Sequence, residues 1–263
     1  MNQLVPTSSS SVSLRSDPNI EQSLTKTAEF LRGYEGASSS AAKDILNDQY
    51  MVDLTQPLPQ FNAQGARAFA ASDMNDRRAM MAMVCEPGSI QRHRALNKML
   101  MLRNSNICSP IAAGAVELSQ PSEERYVVFF ERPQGQKLSA LLANTKSKIP
   151  VNIIIDRIIN PIAQALLALQ EAGVTHGSIN PDNIYYDTQA VIGPCVLEPC
   201  GYSQPYYYEL VERMQAMPAG KGDHHPGADY YALAVMVLQI LTGKQLLERM
   251  PQQVLARTIL RQG

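Results

Sequence analysis

The span 151–172 carries the longest helical repeat in the chain, and it constrains the rest of the fold. Ile154, Ile158, Ile162, Ala165 and Leu169 recur at three- and four-residue intervals, which puts them on one face of a helix. Pro161 interrupts the pattern. It has no N–H to donate to the preceding turn, so the helix must bend there or lose hydrogen bonds locally. A polar, irregular loop comes next, running His176, Gly177, Ser178, Ile179, Asn180, Pro181, Asp182, Asn183, and then a short strand at 184–186. A more apolar helix is expected from about Asp229 to Leu241, ending at Thr242 and Gly243.

With 263 residues and 45% hydrophobic content, the chain is long and apolar enough to bury a real core, as one large or two small domains. A net charge of −1 argues against a broad nucleic-acid footprint. Arg92, Arg94, Lys98 and Arg103 form one local basic stretch, expected to be a solvated helix face. Cys85, Cys108, Cys195 and Cys200 lack CxxC spacing, and MNQLVPTSSS has neither the charged nor the apolar region of a signal peptide. Reduced thiols and a cytoplasmic location are therefore expected. The longest apolar run, 230–241, contains Gln239 and falls short of the ~20 residues that span a bilayer, so no membrane span is expected.

Residues 1–47 form a serine-rich extension around one helical island. Asp17 serves as its N-cap, Pro18 takes the first helical position, Ile20, Leu24, Ala28 and Leu31 form a stripe, and Gly33 stops it. From 48 to 135 the pattern is strands, a helix, then strands. Ala79 to Cys85 is the clearest strand, with a helix at 91–102 and further strands at 107–116 and 126–130. From 136 to 263 helices dominate, with short strands at 184–186 and 195–197 and a last helix at 252–262. A sheet-rich half followed by a helix-rich half implies two lobes.

These segments, taken in order, resemble the protein kinase-like superfamily and, within it, the Ser/Thr branch. The span 127–135, Val-Val-Phe-Phe-Glu-Arg-Pro-Gln-Gly, is similar to the fifth strand, gatekeeper (Phe130) and hinge, with 138–142 starting the next helix. Asn104, Ser105, Asn106, Ile107 resembles the HPNI turn after the αC helix. The span 229–243 is similar to the segment DxYxLGVxLxxLLTG, whose Asp braces the catalytic loop. The loop 176–183 resembles HRDLKPxN. The resemblance implies an α+β, bilobal fold with a small β-rich N-lobe and a helical C-lobe truncated after about the αG helix.

The same resemblance implies that the chemistry is missing. Ser178 stands where the catalytic Asp accepts a proton and Asn180 where a Lys steadies the γ-phosphate; neither side chain can do that work. Asn183 retains the metal-side position. The third-strand Lys position falls on Val84, or on Cys85 if the register slips by one, and neither can hold a phosphate. No acidic residue between Glu86 and Glu117 can replace the αC glutamate, and Gly65 is the one glycine between Gly36 and Gly88. Pro199 occupies the magnesium-chelating Asp position if Gly201 is matched, whereas a gap would place Glu198 there. The span 206–209 resembles the APE end of an activation segment, leaving too short a loop, with Ser203 its one Ser or Thr, for phosphorylation-ordered switching.

The expected function is a catalytically inactive pseudokinase with no cofactor, acting as a signalling scaffold or allosteric module with an unidentified protein partner. The first alternative is an atypical Ser/Thr kinase or ATP-binding sensor using Asn183 and Glu198; the second is a purely structural domain. A zinc site from Cys195, Cys200, His224 and His225 lacks ribbon or finger spacing. A Ser178–His176 nucleophile pair lacks an orienting acid. His176 reads instead as a buried support beneath the loop.

Overall fold

The computed structural model describes residues 43–63, 65–76, 78–89, 91–144, 149–210 and 225–242. The helices expected at 17–33 and 252–262, together with His224 and Gly243, lie outside the described residues. The described chain is mixed α and β, with a sheet-rich N-terminal region and helices following it.

Strands β1 (Ile45–Leu46), β2 (Tyr50–Pro57), β3 (Ala66–Asp73), β4 (Ala79–Cys85), β5 (Pro110–Ser119) and β6 (Ser122–Glu131) form an antiparallel sheet in the order β1-β2-β3-β4-β6-β5. β1 falls within the span assigned to the extension, so the sheet starts earlier than the sequence indicated. β4 is central, between β3 and β6, and its side chains alternate between two cores. Met80, Ala82 and Val84 join Leu46, Val52, Val127 and Phe129 on one face. Met81, Met83 and Cys85 join Val128, Phe130, Leu96 and Met99 on the other.

The sheet curls until its edges meet. The Asp44 N–H donates to the Glu117 carbonyl at 2.8 Å, and the Ser119 N–H donates to Asp44 Oδ1 at 2.8 Å. This contact satisfies edge groups that would otherwise face solvent. Gly114 on β5 permits the closure, because a Cβ there would lie 2.8 Å from Leu46 Cδ1.

Helix α1 (His93–Met101) connects β4 to β5 and turns Leu96 and Met99 into the core. After β6 the chain crosses to a second sheet, β7 (Gln136–Lys137), β8 (Ile184–Tyr186) and β9 (Ala190–Ile192). Gly135 makes the crossing possible at φ +80°, since a Cβ there would sit 2.1 Å from the Tyr186 carbonyl oxygen. α2 (Leu138–Asn144) follows, then α3 (Val151–Glu171). The proline interruption takes a definite form: Ile154–Ile159 are π-helical, and α-geometry resumes with Pro161 in its first turn. The wider π turn accommodates a ring that cannot donate. α3 is the one described helix long and apolar enough to cross a membrane. It nevertheless carries Asp156 and Arg157 and buries Ile154, Ile158, Ile162, Ala165, Leu166 and Leu169 in the core.

The strand expected at 195–197 does not form. Cys195, Val196 and Leu197 are buried, but the Cys195 carbonyl accepts from Arg92 Nη1 and the Val196 carbonyl from the Arg92 N–H, so these groups are satisfied without a ladder. The strand lies earlier, at β9, where Ile192 exchanges backbone bonds with the 106–108 turn. The apolar helix expected at 229–241 is present as α4 (Pro226–Thr242).

Candidate functional site

The loop after α3 is held from below by α4. Asp229 is buried in the first turn of α4, and its carboxylate accepts the backbone N–H of His176 on Oδ2 at 2.7 Å and that of Gly177 on Oδ1 at 2.8 Å. Gly177, at φ +74°, leaves room for Cys200, whose Sγ would lie 2.4 Å from a Cβ. The His176 ring is buried between two backbone groups, with Nε2 3.0 Å from the Gly193 carbonyl and Nδ1 accepting the Ser178 N–H at 3.2 Å. Those partners fit the neutral imidazole with its proton on Nε2. Burial, aided by the nearby Arg92 charge, lowers the pKa to about 4. Both ring nitrogens are engaged by backbone, so neither is available as a base for the Ser178 hydroxyl.

Asn180 is buried and caps the 3₁₀ turn Pro181–Asn183, its Oδ1 accepting the Asp182 N–H at 3.0 Å. Its Nδ2 donates to Gln204 Oε1 at 3.2 Å, and Gln204 Nε2 donates to the Ile179 carbonyl at 3.0 Å. Asn183 Nδ2 donates to the carbonyls of Ser178 and Pro194, each at 3.1 Å. Its Oδ1 rests against Gly193, where a Cβ would lie only 2.1 Å away. Asn183 thus stitches the loop to the 193–194 segment. Glu198 accepts from Ser203 Oγ at 2.6 Å; burial raises its pKa against the opposing effect of those Ser203 bonds. Pro199 opens a turn, its carbonyl accepting the Tyr202 N–H at 3.0 Å.

Strand alternation places the two third-strand candidates on opposite faces. Val84 faces the interior of the curled sheet, whereas Cys85 faces the core shared with α1 and the loop. A slip of one residue exchanges these faces, so Val84 and Cys85 belong to different cores. Burial pushes the Cys85 thiol up to about 11.

Arg92 departs from the expectation of a solvated helix face. It turns inward from the start of α1 and donates to the carbonyls of Thr175 (2.6 Å), His176 (3.1 Å) and Cys195 (3.0 Å). Lys98 Nζ, one and a half turns on, donates to the Gly173 carbonyl at 2.9 Å. α1 is therefore tied to the loop by cations on neutral carbonyls.

The turn between β2 and β3 folds inward, a feature the sequence alone did not reveal. The 3₁₀ turn Pro59–Phe61 is fixed by the Leu58 N–H donating to Ala68 O (2.8 Å) and the Ala68 N–H donating to Asn62 Oδ1 (2.9 Å). Leu58 and Phe61 are buried in the core that contains Ala66, Met83, Phe130 and Leu138. The Phe61 ring lies 5.3 Å from the Tyr185 ring on β8, and the Arg132 guanidinium sits 5.7 Å from the Phe61 centroid. Phe61, Arg132 and Tyr185 thus occupy part of the space between the first sheet, the 131–135 crossing and β8. An open hollow of about 650 Å³ remains in front of Phe61, bordered by Gly135, Lys137, Asp182 and Tyr185. A Pro two residues before an aromatic, in a turn between strands, was the available signal.

Of the zinc candidates, His224 lies outside the described residues. Cys195 is buried, its thiol pushed up to about 12, and it contacts Met99 Sδ at 3.5 Å, while Cys200 lies near the Thr175 carbonyl. Among the described residues, no three His, Cys, Asp or Glu side chains are grouped to hold a metal ion. Tyr206, Tyr207 and Tyr208 form a 3₁₀ turn with Tyr208 buried and donating to Gln239 Oε1. Compared with known proteins, the chain matches no family model and no curated protein.

Proposed function

We propose that the chain from residue 48 onward is a degenerate protein kinase-like domain, a pseudokinase of the Ser/Thr type, which docks partner proteins without transferring phosphoryl groups. The order of elements supports this class. A central strand (β4) precedes a helix (α1) and two further strands; a crossing at Gly135 leads to a helical region; and a loop after a long helix is braced by an Asp in an apolar helix. The residues on that frame support the loss of chemistry. Val84, or Cys85 on a one-residue slip, stands at the third-strand position, Ser178 and Asn180 in the loop, and Pro199 or Glu198 ahead of Gly201.

The observation that carries the proposal is the position of Phe61. It belongs to the turn that in an active relative carries the glycine-rich cover for the phosphates, and here that turn is packed against Tyr185. A nucleotide base entering the same space would have to displace a buried aromatic ring. Asn183, the one residue retained at a metal-side position, uses its amide to hold two backbone carbonyls. Thermal denaturation with and without ATP and magnesium tests the proposal. No shift in Tm and no phosphate release are expected, whereas a magnesium-dependent shift would point to the nucleotide-sensor reading and turnover to the atypical-kinase reading.

A further inference from the structure

We infer that the groove between the first turns of α1 and the end of α3 is a docking site for an acidic peptide segment of a partner protein. This rests on the docking-module reading above and names the partner's chemistry. The groove, about 470 Å³ in volume, is lined by Arg92, Arg94 and Lys98 around Ala95, Gly173 and Val174. Its charged lining residues carry one sign. Arg92 and Lys98 bond to backbone carbonyls, which satisfy hydrogen bonds without neutralising charge. The ion pairs among the described residues, Lys43–Glu117, Arg67–Glu86, Arg78–Asp76 and Arg125–Glu123, involve none of the three. No carboxylate side chain occurs in the sequence between Glu86 and Glu117.

The placement of Arg92 and Arg94 also opposes the stability of the helix that carries them, whereas Lys98 lies in its last turn, where a cation is favourable. Helix starts favour acidic residues, because the unpaired N–H groups there carry partial positive charge. α1 begins with Arg92, His93 and Arg94, has no acid in its first turn and has no side-chain cap. An incoming row of carboxylates would reverse that repulsion. The cations span Arg92 to Lys98, about 9 Å along the helix axis, which matches about three residues of extended peptide. The short stretch, its apolar floor of Ala95 and Val174, and a whole-chain charge of −1 favour a peptide over nucleic acid, which is held by a broader field.

Fluorescence anisotropy with a labelled octaglutamate peptide, and with a phosphoserine-containing counterpart, tests the inference on the full chain at about 50 mM salt. Saturable binding that weakens with added salt is expected. The double variant Arg94→Glu, Lys98→Glu should weaken it by about tenfold or more, while Arg157→Glu, an equal charge change per site on α3, should alter it less than about twofold. Arg94→Glu alone should also weaken binding while its Tm holds or rises, since acid suits a helix start, and this separates lost binding from lost folding. No saturation, or an equal loss in Arg157→Glu, would overturn the inference. Tighter binding of single-stranded DNA with the same Arg94→Glu sensitivity would reassign the groove to nucleic acid. Calorimetry with ATP and magnesium on the same sample keeps the two readings distinct: absent peptide binding with absent nucleotide binding removes this inference alone, whereas nucleotide binding removes the reading beneath it.

Discussion

Asp229 and His176 are 53 residues apart in sequence and joined at 2.7 Å, Oδ2 of the buried carboxylate accepting the backbone N–H that begins the loop. Because Oδ1 takes the next N–H, from Gly177, one side chain satisfies two buried donors. Asp229→Ala leaves both without that acceptor. At ~1–3 kcal/mol for each unsatisfied buried group, a loss of roughly 2–6 kcal/mol is expected in urea denaturation. A change within about 0.5 kcal/mol would show that the brace contributes little.

The His176 imidazole gives stability a defined pH dependence. Its folded pKa, about 4, lies below the ordinary histidine value of 6.5, so the unfolded chain binds the proton more readily. Stability from this group is fully present above about pH 6.5 and is lost as pH falls toward 4, by up to ~3 kcal/mol. Glu198, raised chiefly by burial, acts in the opposite sense in the carboxylate range, where its contribution fades as pH rises. Urea midpoints across this range, with the His176 resonances followed by NMR, check the assignment. An imidazole that titrates near 6.5 in the folded protein would contradict it.

Gly135 links the two sheets at φ +80° with no space for a Cβ beside Tyr186. Gly135→Ala combines an unfavourable backbone conformation with a clash against backbone, so a destabilisation of ~2 kcal/mol or more is expected. Gly88, also at positive φ but with nothing within 4 Å of its Cβ position, should cost less on the same substitution. Equal effects in thermal denaturation would remove the close approach as the cause.

Much of this frame is legible in the sequence because its causes are local or periodic. The two-residue alternation of Ala79–Cys85 and the stripe from Ile154 to Leu169 follow from which faces must be buried. The bracing role of Asp229 came through resemblance, and its geometry agrees. What escaped depends on distant partners. Cys195, Val196 and Leu197 have the composition of a strand, yet the carbonyls of Cys195 and Val196 found Arg92, about a hundred residues earlier, instead of a neighbouring strand. Arg92 looked like one more cation on a solvated helix because nothing near it in sequence shows which carbonyls lie beneath. Phe61 escaped for the same reason, its partner Tyr185 lying on the second sheet.

On the proposed pseudokinase reading, the substituted positions act together: Ser178→Asp would place a base in the loop but supply neither a phosphate-binding cation at Val84 or Cys85 nor a glycine-rich cover in place of the Pro59–Phe61 turn. This variant is expected to show no phosphoryl transfer above the unsubstituted chain in a radiolabelled-ATP assay. Measurable transfer would mean that one substitution, and not the distributed set, had silenced the site.

On the proposed reading, Phe61 packed against Tyr185 beneath the β2–β3 turn excludes a nucleotide. Isothermal titration of the unsubstituted chain with ATP and magnesium tests it most directly. No heat of binding is expected up to millimolar ligand, corresponding to less than ~4 kcal/mol of affinity. A saturable isotherm with a Kd below about 100 µM, roughly −5.5 kcal/mol, would contradict it.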